Sequence, residues 1–218
     1  HVENRAVVVF SDSQTGEAFG LEADAVLLAT GRKPNTKDLN LEVAGVETDA
    51  RGAIIVDEYL KTTNPNIRAV GDVKGGLQFT YISLDDYRII CEDLFGDKER
   101  KTSDRNPVAY SVFIDPPMAR IGLNEDEARK QDLDVIIKKL PVMAIPRAKT
   151  LGETDGLLKA VIDKNTGKIV GCMLFAPDAG EVINMVAVAM KTGQNYTFLR
   201  DFIFTHPSMS EALNDLFS

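Results

Sequence analysis

The sequence predicts an α+β fold for residues 106–218, an antiparallel sheet with flanking helices, preceded by a stretch of α/β character. Three observations carry this prediction. Leu133–Leu140, Leu157–Asp163 and Ile169–Phe175 are apolar runs of strand length, and Asn165-Thr166-Gly167 joins the last two as a hairpin turn. Segments of helical period, Asn124–Gln131 and Asp178–Thr192, alternate with them, the pattern of strands and helices sharing one core. Upstream, Ala25–Ala29 (AVLLA) is continuously apolar, as in a strand buried on both faces.

Composition narrows the function classes. The chain has 218 residues, with 44% hydrophobic and 27% charged, enough for a packed core of one large or two modest domains. Acidic side chains number 33 against 25 basic ones, a net charge of −8 with no long basic block, so nucleic acid is not an expected partner. Apolar runs such as Val7–Phe10 and Val186–Met190 fall far short of the ~20 residues of a membrane span. Cys91 and Cys172 are too few for a disulfide scaffold or a four-thiolate metal site, and a reduced, cytoplasmic setting is expected. The chain begins His1-Val2-Glu3 without an initiator Met or signal pattern, and is expected to be part of a longer protein.

Each element has a local justification. Ala6–Phe10 is β-branched and apolar, and Asp12-Ser13-Gln14-Thr15-Gly16 is a cluster of turn formers, so two strands around a turn are expected in the first thirty residues. The Ala25–Ala29 strand runs into Thr30-Gly31-Arg32-Lys33-Pro34-Asn35, where Gly and Pro end it. Ala53–Asp57 and Ile67–Val70 are expected strands, the second ending in Gly71-Asp72. Thr80–Leu94 reads as an amphipathic helix on Ile82, Ile89, Ile90 and Leu94, capped by Thr80 or Ser83 and stopped by Gly96. The charged stretch Asp97–Asp104 is an expected loop or linker. Val108–Ile114 is strand-like up to Asp115-Pro116-Pro117. Asn124 is the expected cap of a short polar helix with Glu125, Asp126 and Glu127 in its first turn. Gly193 closes the Asp178–Thr192 helix, and Thr197–Ile203 and Ser208–Phe217 are two short helices separated by His206-Pro207.

His206 is the sharpest candidate for chemistry. Ser208-Met209-Ser210-Glu211 follows it, and two readings stay open. In one, Ser208 and Glu211 form a capping box, the commoner meaning of that spacing. In the other, Glu211 turns to His206, fixes its tautomer and makes it a general acid/base. Asp72, at the end of an apolar strand, is placed to accept hydrogen bonds from a ribose or ribityl hydroxyl, or is a turn aspartate. Gly75-Gly76 allows a ligand close approach or turns the chain. The N-terminus of the Thr80–Leu94 helix would suit an anionic, reduced flavin. No G-x-G-x-x-G follows a strand and no two cysteines are close, so the chain has neither the usual pyrophosphate cradle nor its own dithiol. Cys91 and Cys172 are expected to be ordinary buried thiols.

Four motifs in order give a family resemblance: AVLLATGRKPN at 25–35, GAIIVDE at 52–58, TTNPNIRAVGD at 62–72 and HPSMSE at 206–211. Together they resemble the class I pyridine nucleotide–disulfide oxidoreductases, which include glutathione reductase, dihydrolipoamide dehydrogenase and mercuric reductase. The resemblance covers nearly the whole chain. GGLQFTYISLDDYR at 75–88 and FTHPSMSEALNDLF at 204–217 are most similar to the bacterial reactive-chlorine or hypothiocyanous acid reductase subgroup.

The resemblance implies an end of an NAD(P)H-binding domain and its return strand in residues 1–30, the C-terminal part of an FAD-binding domain in 31–104, and a dimerisation domain in 106–218. It implies FAD and NAD(P)H as cofactors, a homodimer through residues 106–218, and a small-molecule oxidant or disulfide as substrate. Asp72 would hold the ribityl chain, with Gly71 and Gly31 beside the flavin, and Phe79, Thr80 and Tyr81 would face its pyrimidine ring. His206 and Glu211 would be the acid/base pair acting on the partner subunit's flavin site, and no residue is assigned to a metal. Some family features are missing: both Gly-rich loops, the C-x-x-x-x-C dithiol and a C-terminal cysteine pair, while Tyr81 stands where Pro is usual. Two other readings are kept, a catalytically inactive dimerisation module pairing through Val182–Met190 and part of a flavoprotein NADH oxidase.

Overall fold

The computed structural model describes residues 5–218, which divide into two compact units, the second beginning at Ser103. In the second unit five antiparallel strands form one sheet: β3 (Tyr110–Val112), β4 (Met118–Gly122), β5 (Val135–Pro141), β6 (Leu157–Asp163) and β7 (Ile169–Phe175), in the order β3-β4-β7-β6-β5. β6 and β7 occupy the expected residues, pair Ala160 with Cys172, and turn through Gly167, whose N–H donates to the Asp163 carbonyl. β4 was not expected, since five residues after a Pro-Pro pair give too short a period to read. Its alternation is nevertheless plain, with Ala119 and Ile121 buried and their neighbours half-buried.

Helix α4 (Ala179–Lys191) packs on β4 and β7, and α6 (Ala212–Leu216) on β5 and β6. Their buried residues Val182, Ile183, Val186, Leu213, Leu216 and Phe217 share one core with Ile121, Leu158, Ile162 and Leu174 of the sheet. The α4 stripe therefore covers the chain's own sheet rather than a twin subunit. The large apolar side chains that α4 leaves exposed are Met185 and Val188, beside Glu181, Asn184 and Lys191. Short helices α2 (Glu125–Lys130), α3 (Pro146–Leu151, begun by Pro146) and α5 (Thr197–Asp201) complete the unit. Asn124 caps α2 in a capping box, its side chain accepting from the Glu127 amide at 2.8 Å and its own amide donating to the Glu127 carboxylate at 2.8 Å. The Asn124 amide and the neighbouring Arg120 hold the Glu127 carboxyl below its ordinary value.

The first unit begins with a hairpin of β1 (Ala6–Ser11) and β2 (Ala18–Ala23), its turn tied by the Asp12 carboxylate to the amides of Gln14 and Thr15. Ala25–Ala29 is not a strand, a correction to the sequence reading. A strand buried on both faces needs a neighbour on each side, no described residue pairs with it, and Leu27 and Leu28 are 90% and 81% exposed. The other two expected strands shrink to single bridges, Thr48–Ile54 and Lys61–Arg68, around a small core of Val46, Ile54 and Ala69. Helix α1 (Thr80–Phe95) ends at Gly96 as expected, but its N-cap is Phe79 and no side chain caps it. No helix among the described residues is long and apolar enough to cross a membrane.

The buried face of α1 is Ile82, Asp85, Asp86, Ile89 and Asp93, while the expected core residue Leu94 is half-exposed. Each aspartate meets cations within its unit: Asp85 accepts from Arg100, Asp86 lies near Lys74, and Asp93 pairs with Arg68 and Lys61. Hydrogen bonds from Arg68 and Lys61 hold the Asp93 carboxyl below its ordinary value.

Candidate functional site

Two loci gather the candidate residues, one in each unit. In the second, the chain leaves α5, passes through Phe204-Thr205-His206-Pro207 and enters α6. Ser208 Oγ accepts the Glu211 amide at 3.2 Å and donates to the Thr205 carbonyl at 2.7 Å. Glu211 Oε1 accepts the Ser208 amide at 3.3 Å, and Glu211 Oε2 lies 2.7 Å from His206 Nδ1. The reciprocal Ser208–Glu211 bonds and the His–Glu dyad are therefore not alternatives, since one carboxylate takes part in both with its two oxygens. The reciprocal bonds close the turn ahead of α6, which begins at Ala212 with Glu211 as its N-cap and not at Ser208.

That arrangement fixes the imidazole chemically. A carboxylate on Nδ1 favours the tautomer with hydrogen on Nδ1, leaving Nε2 as a proton acceptor. The His206 side chain is 69% exposed and Glu211 only 18%, so the carboxylate is the enclosed partner of a largely exposed imidazole. Asn214, which the sequence reading passed over, steadies the approach to His206. Its Nδ2 donates to the carbonyls of Leu199, Arg200 and Phe202 at 2.9, 2.8 and 2.9 Å, tying the end of α5 to α6. A lone Asn inside a predicted helix gives no signal of such a role.

In the first unit, Gly71–Lys74 forms a single 3₁₀ turn packed against α1. Asp72, on that turn, accepts a hydrogen bond from Arg32 Nη1 at 3.0 Å and stays half-exposed. Gly31, at φ 104°, directs the loop that brings Arg32 there. Arg32, Lys33, Asp49, Arg51, Gly75 and Gly76 line a cleft of about 590 Å³, cationic on balance. Arg32 and Lys33 are adjacent but Arg51 lies 18 residues further on, so no cationic cluster shows until the chain is folded. At the start of α1 the Phe79 and Tyr81 rings stack, centroids 5.0 Å apart and 9° from parallel, and burial pushes the Tyr81 phenol up. Cys172 is buried in β7 and its thiol is pushed up to about 12 by burial, whereas Cys91 is only partly buried.

The chain belongs to the pyridine nucleotide–disulphide oxidoreductases: that family's dimerisation domain matches residues 108–217, and a second domain of the family matches residues 2–86. Among relatives, the probable pyridine nucleotide-disulfide oxidoreductase RclA of Escherichia coli is 50% identical over all of this chain and 48% of its own length. A mercuric reductase of Staphylococcus aureus is 39% identical over 91% of this chain and 36% of its own. The solved Cu(II) complex of the HOCl-induced flavoprotein disulfide reductase RclA from E. coli superposes with a TM-score of 0.93, at 50% identity, over 100% of this chain and 48% of that one. The chain thus spans about half the length, or less, of the curated relatives it matches.

Proposed function

We propose that this chain is the dimerisation domain and the C-terminal part of the flavin domain of an FAD-dependent, NAD(P)H-consuming dithiol reductase. Its substrate class would be a disulfide or a small oxidant such as a reactive chlorine or hypothiocyanous species. The observation that carries the reading is the 2.7 Å His206 Nδ1–Glu211 Oε2 contact within a carboxylate also bound to the Ser208 amide. An exposed imidazole whose Nδ1 is held by a carboxylate, leaving Nε2 unused by that bond, suits proton transfer to and from a redox thiol. Residues 1–30 would complete the nucleotide domain, 31–104 the flavin domain, and 106–218 the interface. A homodimer is supported by the outward Val188, Phe198, Phe202 and Ile203 of the second unit. The setting would be cytoplasmic.

The first-unit residues fit a flavin dinucleotide. The cleft offers Arg32, Lys33 and Arg51 to a diphosphate, with no side chain on Gly75 or Gly76, and a Cβ at Gly75 would already stand 3.1 Å from Ala53. Asp72 would accept a ribityl hydroxyl, Gly71 and Gly31 would let the backbone approach, and the α1 N-terminus from Phe79 to Tyr81, uncapped by any side chain, would favour the electron-rich ring edge. Bound flavin would supply the electron transfer from nicotinamide to dithiol. His206 Nε2 would hold or release the thiol proton, and Glu211 would keep its ring in register.

The test is substitution in the full-length protein. His206→Gln is expected to lower NAD(P)H-dependent reduction of a disulfide or hypothiocyanite about 10²–10⁴-fold, the range for a lost acid/base, while NAD(P)H still bleaches the flavin. Unchanged turnover overturns the assignment. Residues 1–218 alone are expected to show no turnover, and measurable NAD(P)H oxidation by them would count against the division of labour proposed here.

A further inference from the structure

Asp72 can anchor a ligand only if its turn is held in place, and the structure shows what holds it. Gly71 adopts φ 68°, and its N–H donates to Asp86 Oδ2 on α1 at 2.7 Å. Lys74, whose side chain is 9% exposed, places Nζ 3.5 Å from that same oxygen. The carboxylate itself is fully buried. One oxygen thus grips the first residue of the Gly71–Lys74 turn by its amide and the last by its ammonium. The fit is close, because a Cβ on Gly71 would stand 2.9 Å from Ser83 Oγ of the same helix.

A buried carboxylate carries a desolvation penalty, offset here by the Gly71 amide and the Lys74 ammonium, so the two ends of the turn are what Asp86 is bonded to. We propose that Asp86, with Lys74 as counter-ion, is a positioning residue for Asp72. It locks the turn from the protein side and so sets where the Asp72 carboxylate meets a ribityl hydroxyl. Arg32 contacts Asp72 on the exposed side, where a ligand can share or displace it; Asp86 acts from the interior, where none can. Helix α1 would then govern the flavin twice, through its N-terminus and through Asp86. This inference rests on the reading of Asp72 as a flavin anchor.

The experiment uses the full-length, flavin-loaded protein and reads FAD dissociation by the fluorescence of released flavin, with the thermal midpoint of the apoprotein measured alongside. Asp72→Asn and Asp86→Ala are each expected to weaken FAD binding about tenfold, the scale of one hydrogen bond to a charged group. In the double variant the loss should stay close to that of the larger single change, because the two residues act as one unit. Asp86→Asn, which keeps an oxygen for the Gly71 amide, should lose less than Asp86→Ala. If Asp72→Asn weakens FAD but Asp86→Ala lowers only the thermal midpoint, or if the two losses add, the positioning role is overturned and Asp86 is structural. If Asp72→Asn leaves FAD binding unchanged, the anchor reading fails and the inference with it. Should Asp86→Ala not fold, Asp86→Asn carries the same cycle with a smaller expected loss, and additivity again overturns the proposal.

Discussion

Asn214 offers a sharp test of how the His206 segment is held. Its side-chain amide has two N–H groups and serves three carbonyls, those of Leu199, Arg200 and Phe202, at 2.8–2.9 Å. Each net bond contributes about 0.5–1.5 kcal/mol, so Asn214→Ala should cost about 1–3 kcal/mol. Asn214→Asp has nearly the same shape but replaces the donor with an oxygen. It turns three attractive contacts into three oxygen–oxygen repulsions, and should cost at least ~1 kcal/mol more than alanine at pH 7. Urea denaturation followed by circular dichroism gives both values; the chain has no tryptophan, so fluorescence is a weaker probe. The expected order of stability is wild type, then Asn214→Ala, then Asn214→Asp. Equal stability of the alanine and aspartate variants would refute the donor role. In the full-length protein, turnover should fall in the same order, because residues 199–206 carry His206 to its position.

Three further predictions test burial and packing. Cys172, with its thiol pushed up to about 12, should be ionised to only about one part in 10⁴ at pH 8 and resist maleimide until denatured; rapid labelling of Cys172 in the folded protein would contradict its place in the core. Asp93 has a folded pKa below its unfolded one, so its contribution to stability is present above pH ~4 and is lost as pH falls through the lower folded value. The gap in thermal midpoint between wild type and Asp93→Asn should therefore narrow progressively as pH falls from above ~4 towards the lower folded value, and a constant gap would argue against the Arg68 and Lys61 pairing. Gly171→Ala would set a Cβ 1.8 Å from the Leu123 carbonyl oxygen, and backbone cannot yield as a flexible side chain can. A cost of about 3 kcal/mol, the upper end for overpacking, is expected in thermal unfolding, and a neutral effect would refute the close approach of β7 to that carbonyl.

What the sequence disclosed about the fold follows from how local each signal is. β6, β7 and α4 carry their own evidence: seven-residue apolar runs, a Thr-Gly turn and a helical stripe closed by Gly193, whose φ is 69°. Three of the strands expected in the first unit failed for one shared reason, whereas Ala6–Phe10 pairs as expected in β1. Ala25–Ala29, Ala53–Asp57 and Ile67–Val70 have strand composition, but a strand is a pairing, and the described residues supply only isolated bridges for two of them and nothing for the first. Helix α1 misled differently. Three of its five buried positions are aspartates, so a hydrophobic pattern picks Leu94 where the fold buries Asp93.

The candidate site was legible in part for a related reason. Ser208 and Glu211 lie three residues apart and His206 and Glu211 five apart, so both partners of the carboxylate are written within six residues. Spacing alone framed them as competitors, because it counts residues and not lone pairs. A carboxylate has two oxygens, and the fold gives one to the Ser208 amide and the other to the imidazole. The cap is then part of the chemistry. The Ser208 amide holds Oε1 and restricts the rotation that would carry Oε2 away from Nδ1, while the Ser208 hydroxyl accepts the Glu211 amide and holds that residue's backbone. Ser208→Ala should therefore loosen the dyad through the backbone of Glu211, although it leaves the bond to Oε1 in place. Removing the hydroxyl should broaden the orientations of Glu211 and lower turnover of the full-length protein by less than Glu211→Ala does, with Ser208→Thr restoring it. Equal losses for Ser208→Ala and Ser208→Thr would mean that the hydroxyl's bond to the Glu211 amide is not what holds the carboxylate in place.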